Sequence, residues 1–168
     1  MHSHFFKISF LLMSIFSITV NADLINKQDV PEKVFNYIYD KYPQAKDVTV
    51  EEKTHFGQPL YEVKLTSTQY DQNNQAYQAK KSELFKLDGH FFTNAFEVAH
   101  NSYTIITGVA EKKLQVQYPD YKILAMKIVS NPNGVGDEYE IYLKALGKTL
   151  DVSITDQGEI ISENRLDK

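Results

Sequence analysis

The residues of this sequence that could support metal or nucleophilic chemistry are few and scattered. Beyond the apolar N-terminal run the histidines are His55, His90 and His100, and the chain contains no cysteine. A zinc-binding helix carries its ligands three or four residues apart, and none of these histidines is followed at that spacing by a histidine or an acid. No Gly-x-Ser-x-Gly turn and no glycine-rich phosphate loop occurs. We therefore predict no catalytic residue, no metal site and no cofactor.

Two pairs of adjacent acids, Glu51-Glu52 and Asp137-Glu138, could in principle act as a general acid and a general base. Adjacent residues of a strand point to opposite faces, so neither pair can converge on one substrate atom. We expect these four carboxylates to be solvated. Residues 131–137 have the oxygen-rich composition of a calcium loop but lack its alternating acids and its distal glutamate, and they are predicted to form a hairpin turn.

Two segments with helical spacing of apolar residues resemble each other. Each ends in Tyr-Pro, at Tyr42-Pro43 and again 76 residues later at Tyr118-Pro119. Proline disfavours continuation of a helix, so each dipeptide marks a helix end. At the same offset three apolar positions coincide, which predicts two equivalent helices: Val30 with Ile106, Val34 with Ala110, and Ile38 with Leu114.

The segments after the two helices also match. Tyr61-Glu62-Val63 and Tyr139-Glu140-Ile141 alternate as strands, and turns built on Asp and Gly follow at Asp88-Gly89 and at 156–158. We predict an α+β fold of two tandem repeats, each a helix packed on a three- to four-stranded antiparallel sheet. The predicted boundaries are 23–92 for the first repeat, 93–107 for a connector and 108–168 for the second repeat, whose helix could begin near 104.

Aromatic residues supply the candidate contact points for a partner. One helix covers only one face of its sheet, so the other face is either solvated or meets something else. Tyr142 lies on that outward face. The segment 66–81 carries Tyr70 and Tyr77 and is interpreted either as a mobile or strand-extending loop or as a partner-binding loop. Tyr70, Tyr77 and Tyr142 are therefore the candidate partner-binding residues.

The N-terminus has the pattern of a cleavable signal peptide over residues 1–22. Lys7 precedes thirteen uncharged residues, 8–20, and Val20-Asn21-Ala22 suits a signal peptidase. Thirteen residues are too few for a stable transmembrane helix, although an uncleaved anchor or a buried helix is the alternative. Removing this segment changes the formal net charge from −4 to −5. That acidity argues against nucleic acid as a partner, and the location predicted is periplasmic or secreted.

With the repeat laid out, the sequence resembles the PepSY-like family of small exported bacterial domains, also described as beta-lactamase-inhibitor-like. The residues that carry the resemblance are structural: 30–34 (VPEKV), Tyr42-Pro43, Tyr61-Glu62-Val63 and Leu87-Asp88-Gly89, with their counterparts in the second half. The resemblance covers nearly all of 30–163. It implies a doubled helix-plus-sheet fold in the cell envelope or outside the cell, and a role in binding or inhibiting other proteins, often hydrolases. Beta-lactamase inhibitory protein has disulfides, whereas this chain has no cysteine.

The sequence thus predicts an exported, non-enzymatic protein-binding module, with an inhibitor of a peptidase or beta-lactamase as its most specific form. The predicted partner is another protein in the envelope or outside the cell, with no nucleic acid and no stable membrane anchor after cleavage. The alternative is an envelope sensor that binds a small molecule or a metal ion. A ligand that binds only the folded state raises the melting temperature, which separates the two hypotheses.

Overall fold

The computed structural model describes residues 25–166, so the predicted signal peptide lies outside the described residues. Within this range lie two α-helices and eight β-strands, with short 3₁₀ turns at Lys27–Asp29 and His100–Ile105. The helices are α1 (Glu32–Lys41) and α2 (Gly108–Gln117). The strands are β1 (Lys46–His55), β2 (Gln58–Tyr70), β3 (Ala76–Lys86), β4 (Phe91–Glu97), β5 (Lys122–Val129), β6 (Glu138–Ala145), β7 (Lys148–Thr155) and β8 (Ile160–Arg165).

The strands form one antiparallel sheet in chain order, from β1 to β8. The sequence predicted a separate sheet in each repeat, and this prediction is wrong. Strand β4 pairs with β5, which joins the first half of the sheet, β1 to β4, edge to edge with the second half, β5 to β8. That junction is short, with Ala95 opposite Val129 and Glu97 opposite Lys127 at its ends. A four-stranded sheet presents unpaired backbone groups at both edges, and the junction satisfies one edge of each half. The molecule is thus mostly antiparallel sheet with few helical residues.

Both helices pack on the same face of the sheet. The fully buried side chains of α1 are Val34 and Ile38, and those of α2 are Ala110 and Leu114. Each helix ends as predicted at its Tyr-Pro dipeptide, and the two tyrosines have nearly the same backbone conformation: φ −131°, ψ 75° at Tyr42 and φ −130°, ψ 75° at Tyr118. Two apolar clusters therefore lie side by side, one beneath each helix.

The hairpin between β2 and β3 is longer than the others. The turns Phe56-Gly57 and Leu146-Gly147 both have two residues at positive φ, which closes a hairpin over two residues. In contrast, β2 and β3 stay paired as far as Tyr70 opposite Ala76, so residues 66–81 extend both strands, and their role in partner binding stays a prediction. Residues 67–79 project past the last pairs made with β1 and β4, and we call this projection the hairpin arm.

The sheet curls away from the helices. His55 at the end of β1 lies 3.0 Å from Glu138 at the start of β6. In a flat sheet these strands would be about 24 Å apart, at about 4.8 Å per strand. The helix-free face is therefore concave. Register shifts of the kind that bend strands interrupt four of the ladders, at 46/49, 84/85, 123/125 and 153/154.

Candidate binding surface on the concave face

Four charged side chains form a closed arrangement at the middle of the concave face. The Nζ atom of Lys127 lies 2.7 Å from Glu62 Oε1 and 2.7 Å from Glu140 Oε2. Lys53 Nζ lies 3.3 Å from Glu62 Oε2 and also pairs closely with Glu140. Each lysine thus contacts both glutamates. We call these four residues the charged quartet.

The charged quartet is buried, and its members stay ionised because they neutralise one another. Glu62 and Glu140 are each about 1% exposed. Burial alone would raise the pKa of both carboxyls, but the ammonium groups of Lys127 and Lys53 outweigh burial and hold both pKa values below the usual range. Burial lowers the pKa of each lysine, and the two carboxylates more than reverse this. At the charged quartet, the outward face of each half therefore meets the other half rather than solvent.

A second polar contact joins the halves at one end of the concave face. Glu138 accepts a hydrogen bond from the backbone N–H of Phe56 at 2.6 Å, and its other oxygen lies 3.0 Å from His55 Nδ1. The prediction that Glu138 is solvated is wrong, because the curl of the sheet places it against β1 with 3% of its surface exposed. His55 is the buried last residue of β1.

Apolar side chains fill the concave face beside this contact. Leu60, Leu84, Ala95 and Val129 form a small buried cluster, with Phe56 and Phe92 packed against it. Three buried side chains of the first half thereby share one apolar cluster with Val129 of the second half, which closes this end of the concave face to solvent.

The opposite end of the concave face is open and holds a cavity of about 650 Å³. Its walls include Tyr142, whose hydroxyl donates to Glu140 Oε1 at 2.9 Å, and Ser82, whose hydroxyl donates to Glu62 Oε1 at 2.6 Å. The quartet therefore also anchors the cavity walls. The charged side chains that line the cavity are Asp47, Lys64, Lys80, Lys81, Glu97 and Lys127.

One carboxyl on this face titrates near neutral pH. Asp151 lies directly opposite Tyr142 in the ladder between β6 and β7. Burial and the carboxylate of Glu140 raise the pKa of Asp151 from 3.8 to about 6, against the opposing effect of Lys53 and Lys127.

The three predicted partner-binding tyrosines do not lie on one surface. Tyr70 and Tyr77 are 65% and 51% exposed on the hairpin arm. Tyr70 pairs with Ala76 and Tyr77 pairs with Gln69 in the adjacent position, so the two rings point to opposite faces of the arm. Side chains alternate along β2, so Tyr70 lies on the concave side together with Glu62 and Tyr142. Tyr77 lies on the helix side.

Sequence reasoning missed the quartet and the contact between His55 and Glu138. One signal was available: Lys127 is a charged residue in the otherwise apolar run 123–129 (ILAMKIV), where a buried lysine requires a partner. The partners themselves lie 65 residues away at Glu62 and one strand away at Glu140. Their proximity depends on the curl of the joined sheet.

Over residues 25–166, no helix is long and apolar enough to cross a membrane. In the same range no cluster of three or more His, Cys, Asp or Glu side chains is placed to hold a metal ion.

Comparison with known proteins gives similarity to solved structures only. No protein-family model matches the sequence, and no curated protein matches it. A BLIP-like protein from Bacteroides fragilis is 16% identical, with 83% of this chain and 88% of that one covered and a TM-score of 0.45. A DUF2874 family protein from Bacteroides uniformis is 14% identical, with 81% and 89% covered and a TM-score of 0.46. No partner or activity follows from either similarity.

Proposed function

We propose that this protein is a non-enzymatic binding module whose partner is another protein, held by the hairpin arm and the open end of the concave face. The observation that carries the proposal is the arm itself. It projects beyond the sheet and presents Tyr70, which is 65% exposed, on the same side as the open cavity. Exposed tyrosines on rigid backbone are efficient anchors for protein partners because they bury a large area at a small entropic cost.

The charged groups of the concave face support a binding role rather than a catalytic one. The members of the quartet are paired with each other, and their shifted pKa values keep them charged at neutral pH. A general acid or base needs a pKa near the working pH and access to substrate. Glu62 and Glu140 have neither, so we assign them to holding the two halves together.

The finer features of the proposal concern origin and location. The two halves are proposed to be tandem PepSY-like repeats, since the positions that coincide at the offset of 76 residues are buried in both: Val34 and Ala110, Ile38 and Leu114. We propose boundaries at 23–92, 93–107 and 108–168. We also propose that the predicted signal peptide, residues 1–22, directs export to the periplasm or the medium. The specific activity proposed is inhibition of a hydrolase.

Site-specific photo-crosslinking tests it. A photoreactive phenylalanine analogue replaces Tyr70 in the full chain, which is produced in a bacterium that has a periplasm. The control positions are the exposed Val116 on α2 and Leu146 in a distant turn. We expect one crosslinked protein at Tyr70 that binds the purified chain saturably and is missing at both controls. Crosslinks of equal yield at all three positions, or none at Tyr70, would contradict the proposal.

The cavity gives specific support to a second candidate, the binding of a small molecule. Its volume of about 650 Å³ lies in the range of small-ligand sites. A screen of metabolites by thermal shift distinguishes the two functions. A saturable rise in melting temperature that is abolished by filling the cavity with Ala125→Trp would favour a small ligand, and Tyr70 would then be dispensable.

A further inference from the structure

We propose that the open end of the concave face recognises an extended acidic segment of the protein partner. This inference rests on the proposed protein-binding function and adds the chemistry of what is bound. Its basis is a group of lysines that face the concave side and form no ion pair with residues 25–166, in a chain whose formal net charge is −4.

The first of these lysines is on the cavity wall. Four lysines and two acids line the cavity. Lys127 belongs to the quartet, and Lys64 Nζ lies 2.7 Å from Glu51 Oε2, so both are neutralised. Lys80 is exposed and forms no ion pair with any residue in the range 25–166. Its charge is therefore available to a ligand.

Two further lysines lie on the same face next to Tyr142. Lys144 follows Tyr142 by two positions on β6, so both side chains share the concave side, and Lys122 on β5 is directly opposite Lys144. Like charges directly opposite each other in an antiparallel pair are destabilising. Neither lysine forms an ion pair within the described part of the chain. An anion placed between them would remove this repulsion.

The spacing of the lysines favours an extended chain over a single small anion. Lys80 is on β3, and Lys122 and Lys144 are on β5 and β6, two and three strands away. At about 4.8 Å per strand these separations are about 10–14 Å across the sheet, before curvature shortens them. Glu140 continues the row of Lys80 across the sheet, and Lys144 lies four residues further along β6, which adds about 13 Å along the strands. A single carboxylate or phosphate contacts only one end of such a span. About six residues of an extended peptide reach across it, with alternate glutamates facing the sheet.

Binding of hexaglutamate to the full chain tests the charge complementarity directly. The test variant is Lys80→Gln/Lys122→Gln/Lys144→Gln, and the matched control, Lys33→Gln/Lys112→Gln/Lys113→Gln, removes the same charge from the two helices on the opposite face. We expect the test variant to raise the Kd for hexaglutamate at least tenfold and the control to change it less than twofold. The Kd of the wild type should rise with NaCl concentration. Equal losses in both variants, or no binding by the wild type, would overturn the inference.

Two more measurements separate this inference from its alternatives. Binding to phosphatidylglycerol vesicles in the absence of hexaglutamate binding would assign the lysines to a lipid surface and overturn it. The protein captured by crosslinking at Tyr70 is then titrated with the test variant. A partner that binds the test variant as tightly as the wild type overturns the acidic-segment inference and leaves the proposed function standing. If the chain with the photoreactive residue at position 70 captures no protein, the proposed function itself is rejected.

Discussion

Lys53 and Glu140 form a buried ion pair although their strands, β1 and β6, are five positions apart in the sheet. The pair connects the first half of the chain to the second across the concave face. The backbone junction between the halves comprises only the short ladder from Ala95 opposite Val129 to Glu97 opposite Lys127. Side-chain contacts across the concave face therefore supplement a small backbone interface, and the stability of the whole sheet should depend on them.

Neutralising one member of the quartet should destabilise the fold strongly. Glu140→Gln leaves Lys53 and Lys127 with one carboxylate between them, and an unpaired buried charge costs about 3–5 kcal/mol. Urea denaturation at pH 7 measures this loss. The double variant Lys53→Met/Glu140→Leu removes a cation and an anion together, and we expect it to lose less stability than Glu140→Gln. A double variant that loses more would contradict the account of the quartet as a charge-balanced unit.

The contact between His55 and Glu138 should contribute separately. Glu138→Ala removes the acceptor for the Phe56 N–H and the partner of a buried imidazole, and we expect a loss of about 2–4 kcal/mol. Glu138→Gln retains an acceptor for the backbone N–H and should lose less. Thermal unfolding followed by circular dichroism distinguishes them, and an equal loss in both variants would show that the backbone hydrogen bond contributes nothing.

Asp151 should make stability depend on pH. Its pKa rises from 3.8 to about 6 on folding, so its protonated form favours the folded state below pH 3.8 and this contribution is lost as pH rises through 6. Asp151→Asn should therefore stabilise the protein at pH 8 by about 1–3 kcal/mol and have little effect at pH 4. Chemical denaturation at both values measures the difference. An Asn variant that is less stable than the wild type at pH 8 would disprove the assignment.

The two tyrosines of the hairpin arm should differ in their effect on binding. Because Tyr70 lies on the concave side and Tyr77 on the helix side, a partner seated on the concave face should lose at least tenfold in affinity with Tyr70→Ala and less than threefold with Tyr77→Ala. Both side chains are exposed, so the melting temperature should be nearly unchanged in each variant. Equal losses of affinity would place the partner at the tip of the arm rather than on the concave face.

Local patterns in the sequence determined the elements. Helical spacing before Tyr42-Pro43 and Tyr118-Pro119 predicted both helices and their ends, because proline and apolar periodicity act within a few residues. The alternation at Tyr61-Glu62-Val63 likewise predicted a strand, and this segment lies in β2. The signal peptide, domain boundaries and partner-binding tyrosines are predictions that the structure leaves for experiment.

The tertiary structure alone decided how the two halves meet. Nothing in the spacing of Lys53, Glu62, Lys127 and Glu140 indicates that they touch, because their proximity is set by strand register, sheet curvature and the pairing of β4 with β5. The sequence left open whether the sheet face turned away from each helix is solvated or meets something else. The curl of a single eight-stranded sheet answers that question, since it turns each charged face onto the other and makes ion pairs between residues far apart in the chain.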